Sequence, residues 1–108
     1  MIDLDTIQPK ELIPGFKGKF VHTSANTLAW WDIEEGALLP LHSHPHEQLT
    51  QVLEGTLELT VEGEIHICRP GGVLIIPPHA KHSGRALTAC RVFDLFYPSR
   101  PEYTNDEN

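Results

Sequence analysis

Nowhere in its 108 residues does the chain gather lysines and arginines into a cluster, and its 8 basic side chains are outnumbered by 15 acidic ones, for a formal charge of −7. Neutralising a phosphate backbone takes such a cluster, so nucleic acid is not an expected partner. An anionic ligand would have to be attracted locally, by a metal ion or by single arginines, and not by the field of the whole protein. No apolar run reaches the roughly 18 residues that a membrane-spanning helix needs. The opening M-I-D-L-D-T-I-Q-P-K has neither the positive stretch nor the apolar core of a secretion signal. No membrane partner and a cytoplasmic location are the expectations. There are only two cysteines, Cys68 and Cys90, each inside an apolar run, too few for a disulfide framework. Buried, reduced thiols are expected. No segment carries a sustained helical period either.

What remains is the material of one domain: enough chain for a single core and too little for two. Forty per cent apolar and 21 per cent charged residues are the proportions of an ordinary globular protein. From Phe20 onward, short apolar or alternating runs recur, each ended by Gly, Pro, Asn or Asp, which predicts an all-β sandwich or barrel. The runs are Lys19 to Thr23, Thr27 to Ile33, Leu38 to His42, Gln48 to Leu53, Thr56 to Val61, Glu64 to Cys68, Val73 to Ile76, Ser83 to Leu87 and Cys90 to Phe96. Glu54-Gly55 and Glu62-Gly63 supply tight turns. Residues 1–18, broken by Pro9, Pro14 and Gly15, read as an arm with one short strand; 19–97 form the barrel and 98–108 a C-terminal tail.

Alternation assigns faces. Leu57, Leu59 and Val61 share one side of their strand, and Thr56, Glu58 and Thr60 the other, so one face is core and one is wet. The last run is apolar on both sides, with Cys90, Val92, Asp94 and Phe96 opposed to Arg91, Phe93 and Leu95. This predicts a strand covered on both faces. Asp94 then sits among apolar neighbours, where an unpartnered carboxylate is costly. Trp30 and Trp31 point to opposite faces, one into the barrel and one into a subunit interface, so a homodimer is expected.

The densest chemistry lies in G-A-L-L-P-L-H-S-H-P-H-E-Q-L-T-Q-V-L-E-G, Gly36 to Gly55, with three histidines in five residues followed by a carboxylate and a carboxamide. In an extended segment His42 and His44 project from the same side. His82 closes a second punctuated stretch, G-G-V-L-I-I-P-P-H-A-K-H from Gly71. Neutral imidazoles suit Zn, Ni, Fe, Mn or Co. The alternative for His42 and His44 is a polar stripe on an edge strand.

Gly36-x5-His42-x-His44-x3-Gln48-x6-Gly55 resembles the first cupin motif, and Gly71-x5-Pro77-x-His79-x2-His82 the second. The resemblance implies a double-stranded β-helix, or jelly roll, with His42, His44, Gln48 and His82 around one divalent metal. Gln48 stands where cupins usually have Glu, His79 where the second motif has Gly, and Ala86 where it ends in Asn. H-S-H-P-H-E-Q together with the ending C-R-V-F-D-L-F-Y-P-S-R-P-E-Y further resembles the small pectin-degradation cupins called KdgF, which share the glutamine. That likeness implies ring opening of cyclic 4,5-unsaturated monouronates to the linear keto form, with a small anionic sugar as substrate. It places the acid, aromatic and arginine of that reaction on Asp94, Phe96 and Arg100.

Each assignment has a plainer alternative. Gln48 is either the ligand or a surface amide beside a ligating Glu47, and the six residues to Gly55 favour Gln48. Asp94 is either a general acid/base or a structural acid paired with Arg91 or Arg85. Arg100, between Pro98 and Pro101, either captures a substrate carboxylate or is a surface residue, and Phe96 is either a site residue or core. His46 is expected at the rim or in support of the ligands, with His66 and His22 at the surface. Two other functions use the same histidines: a dioxygenase working with Fe(II), and a non-catalytic sugar- or metabolite-binding module.

Overall fold

The computed structural model describes residues 1–105. A short 3₁₀ turn, Leu4–Thr6, precedes ten strands: β1 Lys10–Ile13, β2 Phe16–His22, β3 Thr27–Ile33, β4 Leu38–His42, β5 Glu47–Glu54, β6 Leu57–Val61, β7 Glu64–Cys68, β8 Leu74–Ile76, β9 His82–Ala86 and β10 Cys90–Tyr97. They form two antiparallel sheets, β1-β2-β3-β10-β5-β8 and β4-β9-β6-β7. Among the described residues no helix is long and apolar enough to cross a membrane. The expected strands are present to within a few residues at each end, because period-two alternation between turn residues is a strong local signal.

The core lies between the sheets. Phe16, Phe20, Trp31, Val52, Leu57, Leu59, Val92 and Phe96 form one cluster. At Gly55, φ is +86° and a Cβ would lie 2.2 Å from the Ala89 carbonyl, so no other residue fits there. Cys68 and Cys90 are free thiols.

Both ends of the chain pack on the barrel, and two expectations change. Within residues 1–18 the edge strand β1, Lys10–Ile13, pairs with the start of β2, which pairs in turn with β3, and Leu12, Ile13 and Phe16 pack on the core. The tail is likewise docked, with Tyr103 against the core cluster. His66 is half-buried while Ile65 and Ile67 are 63% and 42% exposed. The Glu62-Gly63 turn pins Val61 opposite Glu64, and that register puts His66 opposite Leu59 on the inner side. Finally, β10 has a buried inner face but no second layer outside it among the described residues. There Phe93 packs on Trp30 at 5.3 Å between ring centroids, within the same sheet.

Candidate metal centre

His42 ends β4, and the antiparallel register sets it directly opposite His82, the first residue of β9, just past an irregularity in the ladder. The two ring centroids are 4.1 Å apart. His44 lies beyond the strand end, in the loop that Pro45 keeps extended, and its centroid is 4.9 Å from that of His82. One ring nitrogen from each of the three lies within 4.8 Å of the others.

Backbone carbonyls hold all three rings by Nδ1. His42 donates to Pro40 O at 2.8 Å, His44 to His46 O at 3.1 Å and His82 to Ala80 O at 2.9 Å. A carbonyl only accepts, so each Nδ1 carries the proton and each Nε2 presents a lone pair. This is how metal-binding histidines are oriented by their surroundings. His82 Nε2 is buried with no partner. Burial, reinforced by the charge of Arg100, holds the His44 imidazole down to about 4, and burial also lowers His82.

Gln48 completes the arrangement, with Oε1 3.0 Å from His44 Nε2. A neutral His44 has one proton for two acceptors, the His46 carbonyl and the Gln48 oxygen, so one contact is left as two facing lone pairs. A cation beside Nε2 and Oε1 removes that conflict. The orphaned His82 nitrogen and this paired-acceptor geometry fit a divalent transition metal held by neutral donors.

The Gln48 amide is oriented from behind. Gln48 Nε2–H donates to Thr50 Oγ1 at 2.9 Å, the Thr50 hydroxyl donates to Asp94 Oδ1 at 2.7 Å, and Trp31 Nε1–H donates to Asp94 Oδ2 at 3.0 Å. An ionised Asp94 accepts only, so Thr50 must give it its proton and take one from Gln48. That leaves Oε1 turned toward the histidines. Asp94 is 8% exposed. Burial pushes its carboxyl up to about 6, against the opposing pull of these hydrogen bonds and of Arg100.

His42, Gln48, Thr50, His82, Asp94, Phe96, Trp31 and Tyr103 all line one cavity of about 330 Å³, whose other wall is apolar. The size suits a small ligand. His42, His44, Gln48 and His82 would hold a metal beside this space, which Asp94 also lines.

Comparison with known proteins bears on what this centre belongs to. A family model of the cupin domain matches residues 29–96, well over half of the chain. The chain is a cupin. The structure of KdgF from Halomonas sp. superposes with a TM-score of 0.84 at 30% identity, over 90% of this chain and 91% of that one. The cupin is therefore KdgF-like. An RmlC-like cupin from Shewanella frigidimarina gives a TM-score of 0.87 at 24% identity, over 93% of this chain and 91% of the other, a likeness of fold. L-ectoine synthase of Hahella chejuensis is 32% identical over 72 residues, 64% of this chain, and the match spans about half of that protein's length (54%).

The cupin's remaining expected site residues, Phe96 and Arg100, lie against each other, with Phe96 on the cavity wall. Phe96 is 1% exposed and edge-on to His44 at 5.8 Å, so it is core and cavity wall at once. The Arg100 side chain is 12% exposed, its guanidinium 5.0 Å from the Phe96 centroid and its Nε donating to Glu102 at 3.1 Å. Its two terminal amino groups have no partner among the described residues. Arg91 and Arg85 are not partners of Asp94. Arg91 is exposed and pairs with Asp32 and Glu54, and Arg85 with Glu58, because all three acids share the outer faces of their sheets with the arginines. His46 is buried, with its Nδ1 unpartnered and its carbonyl orienting His44.

Thr50 and Trp31 as partners of Asp94, and Tyr103 on the wall, were missed. For Thr50 a signal existed, since it follows Gln48 by two residues and so shares its inward face.

Proposed function

We propose that this cupin is a metal-dependent enzyme that opens the ring of cyclic 4,5-unsaturated monouronates to give the linear keto acid. The observation that carries the reading is one small cavity lined by His42 and His82 of a clustered histidine triad, by Gln48 and by the buried Asp94 carboxylate, in a chain similar to KdgF over nine-tenths of its length.

His42, His44, Gln48 and His82 would hold the ion, which when bound supplies positive charge to attract and polarise a substrate oxygen despite the acidic surface. The four donors are neutral and leave that charge uncompensated. Arg100, stacked on Phe96, offers its free amino ends to the substrate carboxylate. Asp94 takes the proton of the anomeric hydroxyl as the bond from the anomeric carbon to the ring oxygen breaks. That bond's electron pair stays on the former ring oxygen, now an enolate oxygen. Return of the same proton from Asp94 to carbon 4 turns the enolate into the ketone, so atoms and charge balance with no co-reactant. Trp31 and Thr50 keep Asp94 aimed and partly charge-stabilised.

Purified protein incubated with enzymatically generated unsaturated galacturonate is expected to accelerate loss of the conjugated-alkene absorbance well above buffer. Absence of any acceleration by metal-replete protein would sink the assignment.

We infer a homodimer formed through the outer face of the larger sheet. A row of Val21, Leu28, Leu95, Leu49 and Ile75 runs across five strands in register, flanked by the Trp30–Phe93 pair, with Ile75 50% exposed. Contiguous apolar surface of this kind marks an interface. Light scattering is expected to give twice the chain mass, falling to one chain mass for Leu95→Lys; a monomeric wild type refutes the dimer.

A further inference from the structure

Beyond β10 the chain turns back along the larger sheet and is latched there. Arg100 donates its backbone N–H to Thr27 Oγ1 at 2.7 Å, and His22 Nε2 donates to the Tyr103 carbonyl at 2.6 Å. Thr27 Oγ1 lies 2.8 Å from His22 Nδ1. With Nε2 protonated, Nδ1 accepts, so the Thr27 hydroxyl donates to it. The Asn105 carboxamide then pairs with Phe20 like one more rung of ladder, donating to its carbonyl at 2.8 Å and accepting its N–H at 3.0 Å. Tyr103 is thereby fixed from both sides.

Its ring packs on Phe20, Trp31 and Phe96 at centroid distances of 5.0, 5.8 and 5.4 Å, beneath the Arg100 guanidinium at 4.0 Å. Phenylalanine would make every one of these contacts. What tyrosine adds is a hydroxyl, on a residue that lines the cavity together with His42, Gln48, His82 and Asp94. That hydroxyl has no hydrogen-bond partner among the described residues. Burial pushes it up to about 12, which keeps it a neutral donor.

The geometry points to Tyr103 as a substrate-positioning residue whose hydroxyl donates a hydrogen bond to an oxygen of the sugar acid in the cavity, held at that wall by Thr27, His22 and Asn105. This rests on the uronate reading above and extends it to a residue outside the histidine, Asp94, Phe96 and Arg100 set.

Tyr103→Phe in the metal-loaded protein isolates the hydroxyl. The expected result is a KM for unsaturated galacturonate raised about 5- to 10-fold, the worth of one neutral hydrogen bond, with kcat within about twofold and metal content unchanged. Saturated galacturonate, which lacks the alkene, is titrated calorimetrically in parallel, and its Kd is expected to rise by the same factor. A KM and Kd equal to wild type, with or without a lowered melting temperature, would make Tyr103 a packing residue and overturn the inference while the uronate reading stands. Wild type that binds galacturonate but never turns over the unsaturated sugar, with binding weakened in the variant, sinks the reaction and keeps Tyr103. Wild type that binds neither uronate overturns both.

Discussion

His82→Ala is expected to lose its metal and its turnover together while the barrel stays folded. His82 is 1% exposed, its Nδ1 is spent on Ala80 O, and its Nε2 has no partner among the described residues. Such a nitrogen is a cost to the fold alone and an asset only to an ion. Removing even a residue that orients a ligand costs about 10- to 100-fold in metal affinity, so removing a ligand should cost at least that. Elemental analysis of protein purified without added metal should therefore find metal in the wild type and next to none in the variant. His42→Ala should behave alike, being its cross-strand neighbour. The fold should survive because the main cluster, from Phe16 through Trp31 and Leu59 to Phe96, contains no histidine. A jelly roll with such a core is not a zinc finger, which needs its ion to fold. Far-UV circular dichroism unchanged beside lost metal is the expected pair of results; full metal occupancy in His42→Ala or His82→Ala would overturn the ligand assignment.

Asp94→Asn is expected to lower kcat by roughly 10²- to 10⁴-fold, the usual contribution of a positioned proton acceptor. The structure complicates this test in one specific way. Trp31 Nε1 can only donate, so the new amide must turn its oxygen toward Trp31 and its NH₂ toward Thr50. Thr50 then has no acceptor for its own proton, and the relay that turns the Gln48 oxygen to the histidines is weakened. Thr50→Val separates the two effects, since it breaks the relay and leaves Asp94 in place. If Asp94 acts on substrate, Thr50→Val at saturating metal should keep kcat within a few fold of wild type while Asp94→Asn collapses it. Equal losses in both variants, restored by excess metal, would show that Asp94 serves only to orient Gln48. The melting temperature adds a third reading. Asp94 forms no ion pair among the described residues and its charge is disfavoured chiefly by burial, so Asn should not be less stable at pH 8.

The chain itself carried a good deal of this. Strands with clean alternation, such as Leu57–Val61, declare both their extent and their buried face, because side-chain direction along a strand depends only on period. Period two alone put His42 and His44 on one side, and it was the likeness to the two cupin motifs that joined Gln48 and His82 to them. What local sequence could not decide was set by pairing between distant residues. The register of β4 on β9 brings His42 to His82, 40 positions later in the chain. The face of His66 followed from the ladder to Leu59 and not from its own apolar neighbours. Asp94 has arginines three residues before it and six after, yet its partners are Thr50 and Trp31, 44 and 63 residues away. The tail brings Tyr103 to the cavity wall because Asn105 finds the backbone of Phe20, 85 residues earlier. Propensity and alternation are properties of neighbours in sequence; hydrogen-bond partners and cavity walls exist only once the two sheets have closed on each other.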